Sequence, residues 1–207
     1  MTLSNISLYG KDNERADLHI DGSVLKSFSS VVIRFGLFEG MELSRELYEE
    51  VTAETEIRNV RDRGAKILSH RRLSKGELGK KLVEKGASED QASAAADWFE
   101  EIGVINDFSY AEAVARKYAE KGYGEKRIRY ELYKRHIPGE MWDDAISALE
   151  PFDNALNTLL DKKLKNYSGD RKELKQTADS LVRRGFSWGE VNAALRRFED
   201  SLEGMDV

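Results

Sequence analysis

An internal repeat of 49–50 residues constrains the fold of this chain more than any other sequence feature. The apolar residues Ala92, Ala95, Ala96 and Phe99 have the i, i+3, i+4, i+7 spacing of an amphipathic helix. The same pattern recurs at two later sets of positions: Trp142, Ala145, Ile146 and Leu149, and then Val191, Ala194, Leu195 and Phe198. The repeat predicts three tandem units, each built from three short helices.

Capping signals indicate where these helices begin and end. Ser74 and Ser88 each precede a Glu or Gln by three residues, which is the spacing of a capping box. Gly86 and Gly185 follow the second helix of their units, where a left-handed residue commonly ends a helix, and His136 takes that place in the middle unit. The predicted helices span residues 54–71, 74–85, 88–102, 107–121, 124–136, 138–149, 152–167, 170–184 and 187–202.

A small strand-containing segment is predicted before the repeats. Strands are predicted at residues 3–9, 16–21 and 23–27, with Asp21-Gly22 as a hairpin turn, and short helices at 28–35 and 44–51. The predicted fold class is all-α: three tandem three-helix repeats in an elongated curved array, preceded by a small β-containing N-terminal module. The predicted domains are an N-terminal extension at 1–53 and helical repeats at 54–103, 104–150 and 151–207, with Pro151 separating the last two.

The net charge of −5 hides a strong segregation of charge along the chain. Residues 1–57 contain five Lys/Arg against eleven Asp/Glu, whereas residues 61–81 contain eight against two. Residues 116–135 and 162–184 each contain eight Lys/Arg against three Asp/Glu. The negative total argues against a histone-like DNA-binding protein, but three basic segments predict a local positive surface.

Some cations recur at the same position of each repeat. Two positions do so: Lys66, Arg116 and Lys165 within the first helix, and Lys85, Arg135 and Arg184 at the end of the second helix. In stacked repeats, equivalent positions line up along one face, and a positive stripe of this kind suits phosphates or an acidic protein surface. The helix macrodipole by itself favours cations at a helix C-terminus, so the second position also has a purely structural explanation. Mid-helix cations gain no comparable stabilisation from the macrodipole. This favours a binding face as the explanation for Lys66, Arg116 and Lys165.

Tyrosines lie among the basic residues of the second repeat, where they can stack on bases. Tyr118 and Tyr123 occupy positions that are leucines in the first repeat, so they are interpreted as core residues. Tyr130 and Tyr133 fall outside the apolar stripe of their helix and stay candidates for binding. The candidate partner- or DNA-binding face comprises Lys66, Arg71, Arg72, Arg116, Lys126, Arg127, Arg129, Tyr130, Arg135, Lys165 and Arg184.

The residue patterns of catalysis and metal binding are missing from the sequence. There are no cysteines, and the three histidines lack i, i+4 metal-ligand spacing. The acidic pairs Glu100-Glu101 and Asp143-Asp144 are adjacent, so their side chains diverge around a helix and form no paired acid–base site. We therefore predict no catalytic residue, cofactor or metal, and no enzymatic activity. Because no signal peptide or membrane span is apparent, we predict a cytoplasmic protein without a membrane partner.

Several segments of the chain resemble the RecX family. The runs Ile105–Ala113 and Lys121–Leu132 are similar to the central motif of that family, and this match is the most specific. Leu68–Leu78 resembles its first repeat, and Arg183–Ser187 resembles its third. The stretch Phe35–Leu43 is similar to an N-terminal extension that some members carry and others lack.

The resemblance implies a bacterial regulator of the RecA recombinase, acting in homologous recombination, DNA repair and the SOS response. It implies binding along the groove of the RecA filament on single-stranded DNA, with restraint of filament growth, ATP hydrolysis and strand exchange. On this hypothesis a monomer follows the groove, its basic face bridges neighbouring RecA protomers, and direct DNA binding is weak.

Two other functions stay open at this point. A DNA-binding module acting without a recombinase would show a salt-dependent affinity for naked DNA equal to its affinity for the filament. A protein-interaction scaffold would bind through the apolar ends of its repeats, and added salt would not weaken that binding.

Overall fold

The computed structural model describes residues 1–149 and 152–203. These residues group into two compact units. Unit 1 contains residues 1–72 and 78–102, and unit 2 contains residues 73–77 together with the described residues from Gly103 onward. The boundary predicted at residues 150–151, including Pro151, lies outside the described residues, as do the last four residues of the predicted third repeat. The division into four domains stays a prediction.

Unit 1 begins with an antiparallel sheet in the strand order β3-β2-β1-β4. The strands are Thr2–Tyr9 (β1), Arg15–Ile20 (β2), Ser23–Phe28 (β3) and Met41–Glu42 (β4). Leu18 pairs with Ile6 on one side and Leu25 on the other, and it packs in a core that includes Val31 and Val51. The sequence predicted the first three strands and missed β4, because two residues are too few to show an alternating pattern.

Helix α1 spans Ser29–Arg34, and helix α2 runs without a break over Arg45–Leu68. The prediction of two separate helices at 44–51 and 54–71 was wrong, since no residue between them breaks the helix. Val51, Thr55 and Val60 are all buried along α2. The Thr55 hydroxyl is satisfied within the core by the Ser27 hydroxyl, 2.7 Å away.

The remaining helices are Lys75–Glu84 (α3), Glu89–Glu101 (α4), Asp107–Glu120 (α5), Glu125–Lys134 (α6), Trp142–Ser147 (α7), Phe152–Lys163 (α8), Arg171–Arg183 (α9) and Trp188–Glu203 (α10). Most bounds agree with the prediction within two residues. The helix predicted at 138–149 is instead a 3₁₀ turn at Gly139–Met141 followed by the short α7. Here the indole N–H of Trp142 donates to the Ile137 carbonyl at 3.0 Å.

The apolar positions that recur in the sequence form the cores of the helical repeats. In the second repeat, Ile128 and Leu132 of α6 pack with Ala145 and Ile146 of α7. In the third repeat the buried set is Leu156, Leu160, Leu164, Leu174, Ala178, Leu181, Phe186, Val191, Ala194 and Leu195. The prediction of tandem three-helix units preceded by a small β-containing module is confirmed.

The second helix of each repeat ends in the same way. Gly86, His136 and Gly185 have φ angles of 90°, 50° and 95°. At the third of these, the Gly185 N–H donates to the Val182 carbonyl at 2.9 Å and the Phe186 N–H donates to the Leu181 carbonyl at 3.3 Å. The equivalent bonds occur at the other two ends, so all three are Schellman motifs. The predicted left-handed caps are confirmed.

Candidate partner-binding surface

Helices α6 and α9, the second helices of two successive repeats, meet end to end in unit 2. The N–H groups of Gly124 and Lys126 donate to the carbonyls of Arg184 and Gly185, each at 3.0 Å. N–H groups at the start of a helix and carbonyls at the end of a helix have no partner within their own helix. The two helix ends therefore satisfy each other's backbone hydrogen bonds.

Two glycines permit this close approach. A Cβ atom on Gly185 would lie 2.4 Å from the backbone nitrogen of Arg127. A Cβ atom on Gly124 would lie 2.5 Å from the backbone nitrogen of Phe186. Both distances are too short for any side chain, so the junction requires glycine at these positions.

A similar junction occurs at the other end of α6. The Ser74 hydroxyl, which precedes α3, donates to the Arg135 carbonyl and accepts the Glu77 N–H at 3.0 Å. A Cβ atom on Gly76 would lie 2.7 Å from the His136 carbonyl oxygen. Arg135 and Arg184 occupy equivalent positions of the repeat, and both lie at such a junction.

Arginine and tyrosine side chains gather beside the contact between α6 and α9. The guanidinium carbons of Arg127 and Arg184 lie 5.7 and 5.5 Å from the centre of the Tyr123 ring. The Arg135 guanidinium lies 5.6 Å from the Tyr118 ring, and that ring is 5.6 Å from Tyr123. We refer to six residues as the arginine–tyrosine cluster: Tyr118, Tyr123, Arg127, Tyr130, Arg135 and Arg184.

Tyr130 forms the exposed edge of this cluster. Its side chain is 49% exposed, and its ring lies 5.3 Å from the Arg127 guanidinium and 5.9 Å from the Lys134 ammonium. Tyr118 packs against the core of the second repeat, in agreement with its interpretation as a core residue. Tyr118 and Tyr123 are both half-buried, so part of each ring is left for contact with the arginines.

A buried carboxylate holds two of the arginines in place. Glu131 is 3% exposed, and its two oxygens lie 2.7 Å from Arg127 and 2.6 Å from Arg135. Burial raises the pKa of Glu131, but hydrogen bonds from Arg135 and Tyr118, together with the charges of both arginines, bring the pKa below its ordinary value of 4.5. The carboxylate therefore stays ionised and fixes both guanidinium groups.

The other predicted residues of unit 2 differ in their partners. Arg129 lies 2.7 Å from Glu125 and 2.6 Å from Asp143, so its charge is compensated. By contrast, Arg116, Lys126 and Lys165 are exposed, and no carboxylate in the described ranges forms an ion pair with them. Lys126 and Arg129 thus differ in pairing although they share one helix.

The premise that Lys66, Arg116 and Lys165 all lie mid-helix was wrong for Lys66 and Lys165. Lys66 lies in the last turn of α2, and Lys165 lies two residues beyond the end of α8. Arg116 lies four residues before the end of α5, outside its last turn. The macrodipole favours cations at the end of a helix, which gives Lys66 and Lys165 a structural explanation but not Arg116. The recurrence of the three cations alone is therefore no sign of a binding face.

Three predicted residues, Lys66, Arg71 and Arg72, are exposed side chains of unit 1. Lys66 pairs with Asp62 at 2.9 Å. Lys66 also lines a cleft of about 420 Å³ with Arg63, Ile67, His70 and Lys85. The structure thus brings together two of the recurring cations, Lys66 and Lys85, in one cleft.

Sequence reasoning missed the role of Glu131. The spacing 127–131–135 places an acid one turn from each of two arginines, which is the i, i+4 pattern of helical ion pairs. The i, i+4 spacing can be read from the sequence, but the burial of Glu131 cannot. The contact of Lys121 with the Tyr118 ring, at 5.6 Å, was also missed because it depends on how α5 ends.

Neither a metal site nor a membrane helix is apparent in the part of the chain that the structure describes. Within it, no three His, Asp or Glu side chains are grouped so as to hold a metal ion. None of the helices there combines the length and apolarity needed to cross a bilayer.

Comparison with known proteins matches two segments of unit 2 to one family. Residues 106–146 match the description "RecX, second three-helix domain", and residues 153–195 match "RecX, third three-helix domain". These two segments contain the α6–α9 junction and every member of the arginine–tyrosine cluster.

Individual relatives extend the match over most of the chain. A regulatory protein RecX of Vibrio campbellii is 31% identical over 157 residues, which cover 74% of this chain and 99% of the relative. The regulatory protein RecX of Caldanaerobacter subterraneus subsp. tengcongensis is 25% identical over 187 residues, which cover 88% of this chain and 93% of the relative. A crystal structure of a regulatory protein RecX has the same fold, with a TM-score of 0.76 at 21% identity over 94% of this chain and 98% of that one.

Proposed function

This chain belongs to the RecX family of regulatory proteins, and we propose that it regulates a RecA recombinase by binding along the groove of the RecA filament on single-stranded DNA. The bound regulator restrains filament growth, ATP hydrolysis and strand exchange by occupancy, with no catalysis of its own. It acts in the cytoplasm as a monomer. The observation that carries the proposal is the arginine–tyrosine cluster at the α6–α9 junction.

The cluster combines positive charge with aromatic surface. Five cations contact its tyrosine rings: Lys121, Arg127, Lys134, Arg135 and Arg184. Within the described residues, the carboxylate that pairs with them is Glu131. A nucleoprotein filament offers phosphates and acidic side chains to such a surface. An exposed tyrosine ring adds a platform for an unstacked base.

The ion pairs help to divide the predicted residues into three groups. Arg127 and Arg135 are held by Glu131, so they position the tyrosine rings and keep the surface positive. Glu125 and Asp143 compensate the charge of Arg129, so this residue adds little positive charge to the surface. Lys126 and Arg116 are exposed and make direct contacts with phosphates or acidic residues, as do Tyr130 and the half-buried Arg184. Lys165, and Lys66, Arg71 and Arg72 of unit 1, complete the proposed contact set.

The α6–α9 junction supports contact by two repeats at once. Arg127 belongs to α6 and Arg184 follows α9, yet both contact the ring of Tyr123. The backbone hydrogen bonds of the junction keep these residues together. A partner that binds the cluster therefore engages the second and third repeats as one surface, which suits a regulator that bridges neighbouring protomers.

A comparison of two tyrosines on α6 tests the proposal. Tyr130 contacts two cations, whereas Tyr133 is 67% exposed and has no cation–ring contact among the described residues. We expect Tyr130→Ala to weaken inhibition of the RecA filament ATPase about tenfold, from lost stacking of about 1–3 kcal/mol. Tyr133→Ala should inhibit like the wild type. Equal effects of the two variants would rule out the cluster as the contact surface.

A further inference from the structure

We infer that unit 1 carries a separate binding site for one nucleotide of a single-stranded nucleic acid, in the cleft where the end of β3 and the start of α1 face α2 and α4. The cleft has a volume of about 390 Å³, which lies within the range of small-molecule sites. Its lining includes Ser29, Ser30, Arg58, Arg61, Asp62 and Trp98. None of these residues belongs to the arginine–tyrosine cluster, and the inference does not depend on RecA binding.

Arg61 is the central residue of this site. Its guanidinium carbon lies 4.5 Å from the centre of the Trp98 ring, so the two side chains stack. Its Nε is buried and has no hydrogen-bond partner among the described residues, and none of their carboxylates pairs with its charge. Buried polar atoms of folded proteins are nearly always hydrogen-bonded, so the Arg61 Nε is suited to bind an acceptor from outside the chain. Within the described part of the chain, Arg61 is thus held by its stack on Trp98, and its charge has no carboxylate partner.

The acidic residues of the cleft do not cancel this charge. Asp62 lies 2.5 Å from Arg15 and 2.9 Å from Lys66, so two cations already compensate its carboxylate. Glu14, the other acid that lines the cleft, is exposed at its rim. Arg58 is exposed and, like Arg61, has no carboxylate partner within the described ranges. The cleft therefore favours an anion.

The chemistry of the lining matches a nucleotide better than a simple anion. Phosphate binds guanidinium groups and hydroxyls, which Arg58, Arg61, Ser29 and Ser30 supply. The stacked pair of Arg61 and Trp98 offers a planar surface for a base, and every base has a face that stacks on it. A base must leave its duplex to reach such a surface, so the ligand is single-stranded.

Trp98 itself reports on the site. In the full chain with Trp142→Phe and Trp188→Phe, Trp98 is the one remaining tryptophan. We expect tetrathymidylate to quench its fluorescence saturably. Arg61→Gln in this background should weaken the affinity at least tenfold, and Arg58→Gln, at an exposed side chain, about threefold. Lys80→Gln removes the same charge from an exposed position outside the cleft lining and should leave the affinity unchanged.

Three results would overturn the inference: no saturable quenching, equal affinities for Arg58→Gln, Arg61→Gln and Lys80→Gln, or equal quenching by inorganic phosphate at the same concentration. The last result would indicate a site for simple anions. Far-UV circular dichroism checks that each variant is folded, and the exposed Arg58 keeps the test valid if Arg61→Gln unfolds. Because no RecA is present, failure here leaves the proposed function untouched.

Discussion

Glu131 and Arg135 form the central ion pair of the arginine–tyrosine cluster, with Oε2 of the carboxylate 2.6 Å from Nη1 of the guanidinium. The same Nη1 also donates to the backbone carbonyl of Glu131 at 2.7 Å. The second carboxylate oxygen binds Arg127, one turn earlier on α6. One buried acid thus positions two arginines from within a single helix, and those arginines contact the rings of Tyr118, Tyr123 and Tyr130.

Removing the charge of Glu131 should destabilise unit 2. In Glu131→Gln, two arginines lose their shared carboxylate at a buried position, and we expect the free energy of unfolding to fall by about 1–3 kcal/mol. Glu125→Gln is the matched control, because Glu125 is 43% exposed and pairs with Arg129 on the same helix. Its effect should stay below about 1 kcal/mol. Urea denaturation followed by circular dichroism measures both, and equal losses would contradict the role given to Glu131.

The contribution of Glu131 to stability should disappear in acid. Although burial raises the pKa of Glu131, hydrogen bonds from Arg135 and Tyr118 and the charges of both arginines lower it below 4.5 in the folded chain. The unfolded chain then takes up the proton first as the pH falls. The stabilisation by Glu131 is therefore complete above the pKa that this residue has in the unfolded chain. It is lost as the pH falls through the lower pKa of the folded chain. The gap in unfolding free energy between wild type and Glu131→Gln should narrow as the pH falls below the ordinary pKa of 4.5. A constant gap would contradict this assignment.

Two glycines with similar backbone angles should respond differently to alanine. Gly86 and Gly185 have φ angles of 90° and 95°. A Cβ on Gly86 meets nothing within 4 Å, whereas one on Gly185 would lie 2.4 Å from the Arg127 nitrogen. We expect Gly86→Ala to cost about 1–2 kcal/mol of stability from backbone strain alone. Gly185→Ala should cost more than about 3 kcal/mol because it also forces α6 away from α9. Similar unfolding midpoints for the two variants would contradict the close contact of α6 and α9 at Gly185.

Much of the repeat architecture could be predicted from the sequence because it depends on local signals. The 49–50-residue period identified the buried stripes, and Gly86, His136 and Gly185 marked the helix ends. The errors have local causes as well. Helix α2 was divided because the segment around Val51 shows no clear apolar period, and β4 is too short to detect.

The candidate site was less predictable because it depends on contacts between helices. Arg127, Tyr130, Arg135 and Arg184 were identified as basic or aromatic positions, but their gathering around Tyr123 depends on the α6–α9 junction. The pairing of Arg129 with Asp143 joins residues 14 positions apart in the sequence. The stack of Arg61 on Trp98 likewise joins residues of two helices, and no spacing rule indicates it.

Ion pairing should decide which cations of α6 contact the partner. Lys126 is exposed without an ion-pair partner in the described ranges, whereas Arg129 binds Glu125 and Asp143. We expect Lys126→Gln to weaken binding to RecA filaments, and to reduce the slope of log affinity against log salt concentration by about one. Arg129→Gln should leave both quantities nearly unchanged. Fluorescence anisotropy with labelled regulator over a series of salt concentrations measures them. The reverse order of effects would contradict the division between paired and unpaired cations.

Co-sedimentation of this protein with RecA filaments on single-stranded DNA tests the central claim most directly. The wild-type chain should pellet with the filament, and it should bind RecA alone and DNA alone much more weakly at the same salt concentration. Tyr130→Ala should reduce the amount that pellets, while Tyr133→Ala should not. Binding to naked DNA as strong as to the filament would instead indicate a DNA-binding module that acts without a recombinase, and would contradict the proposed function.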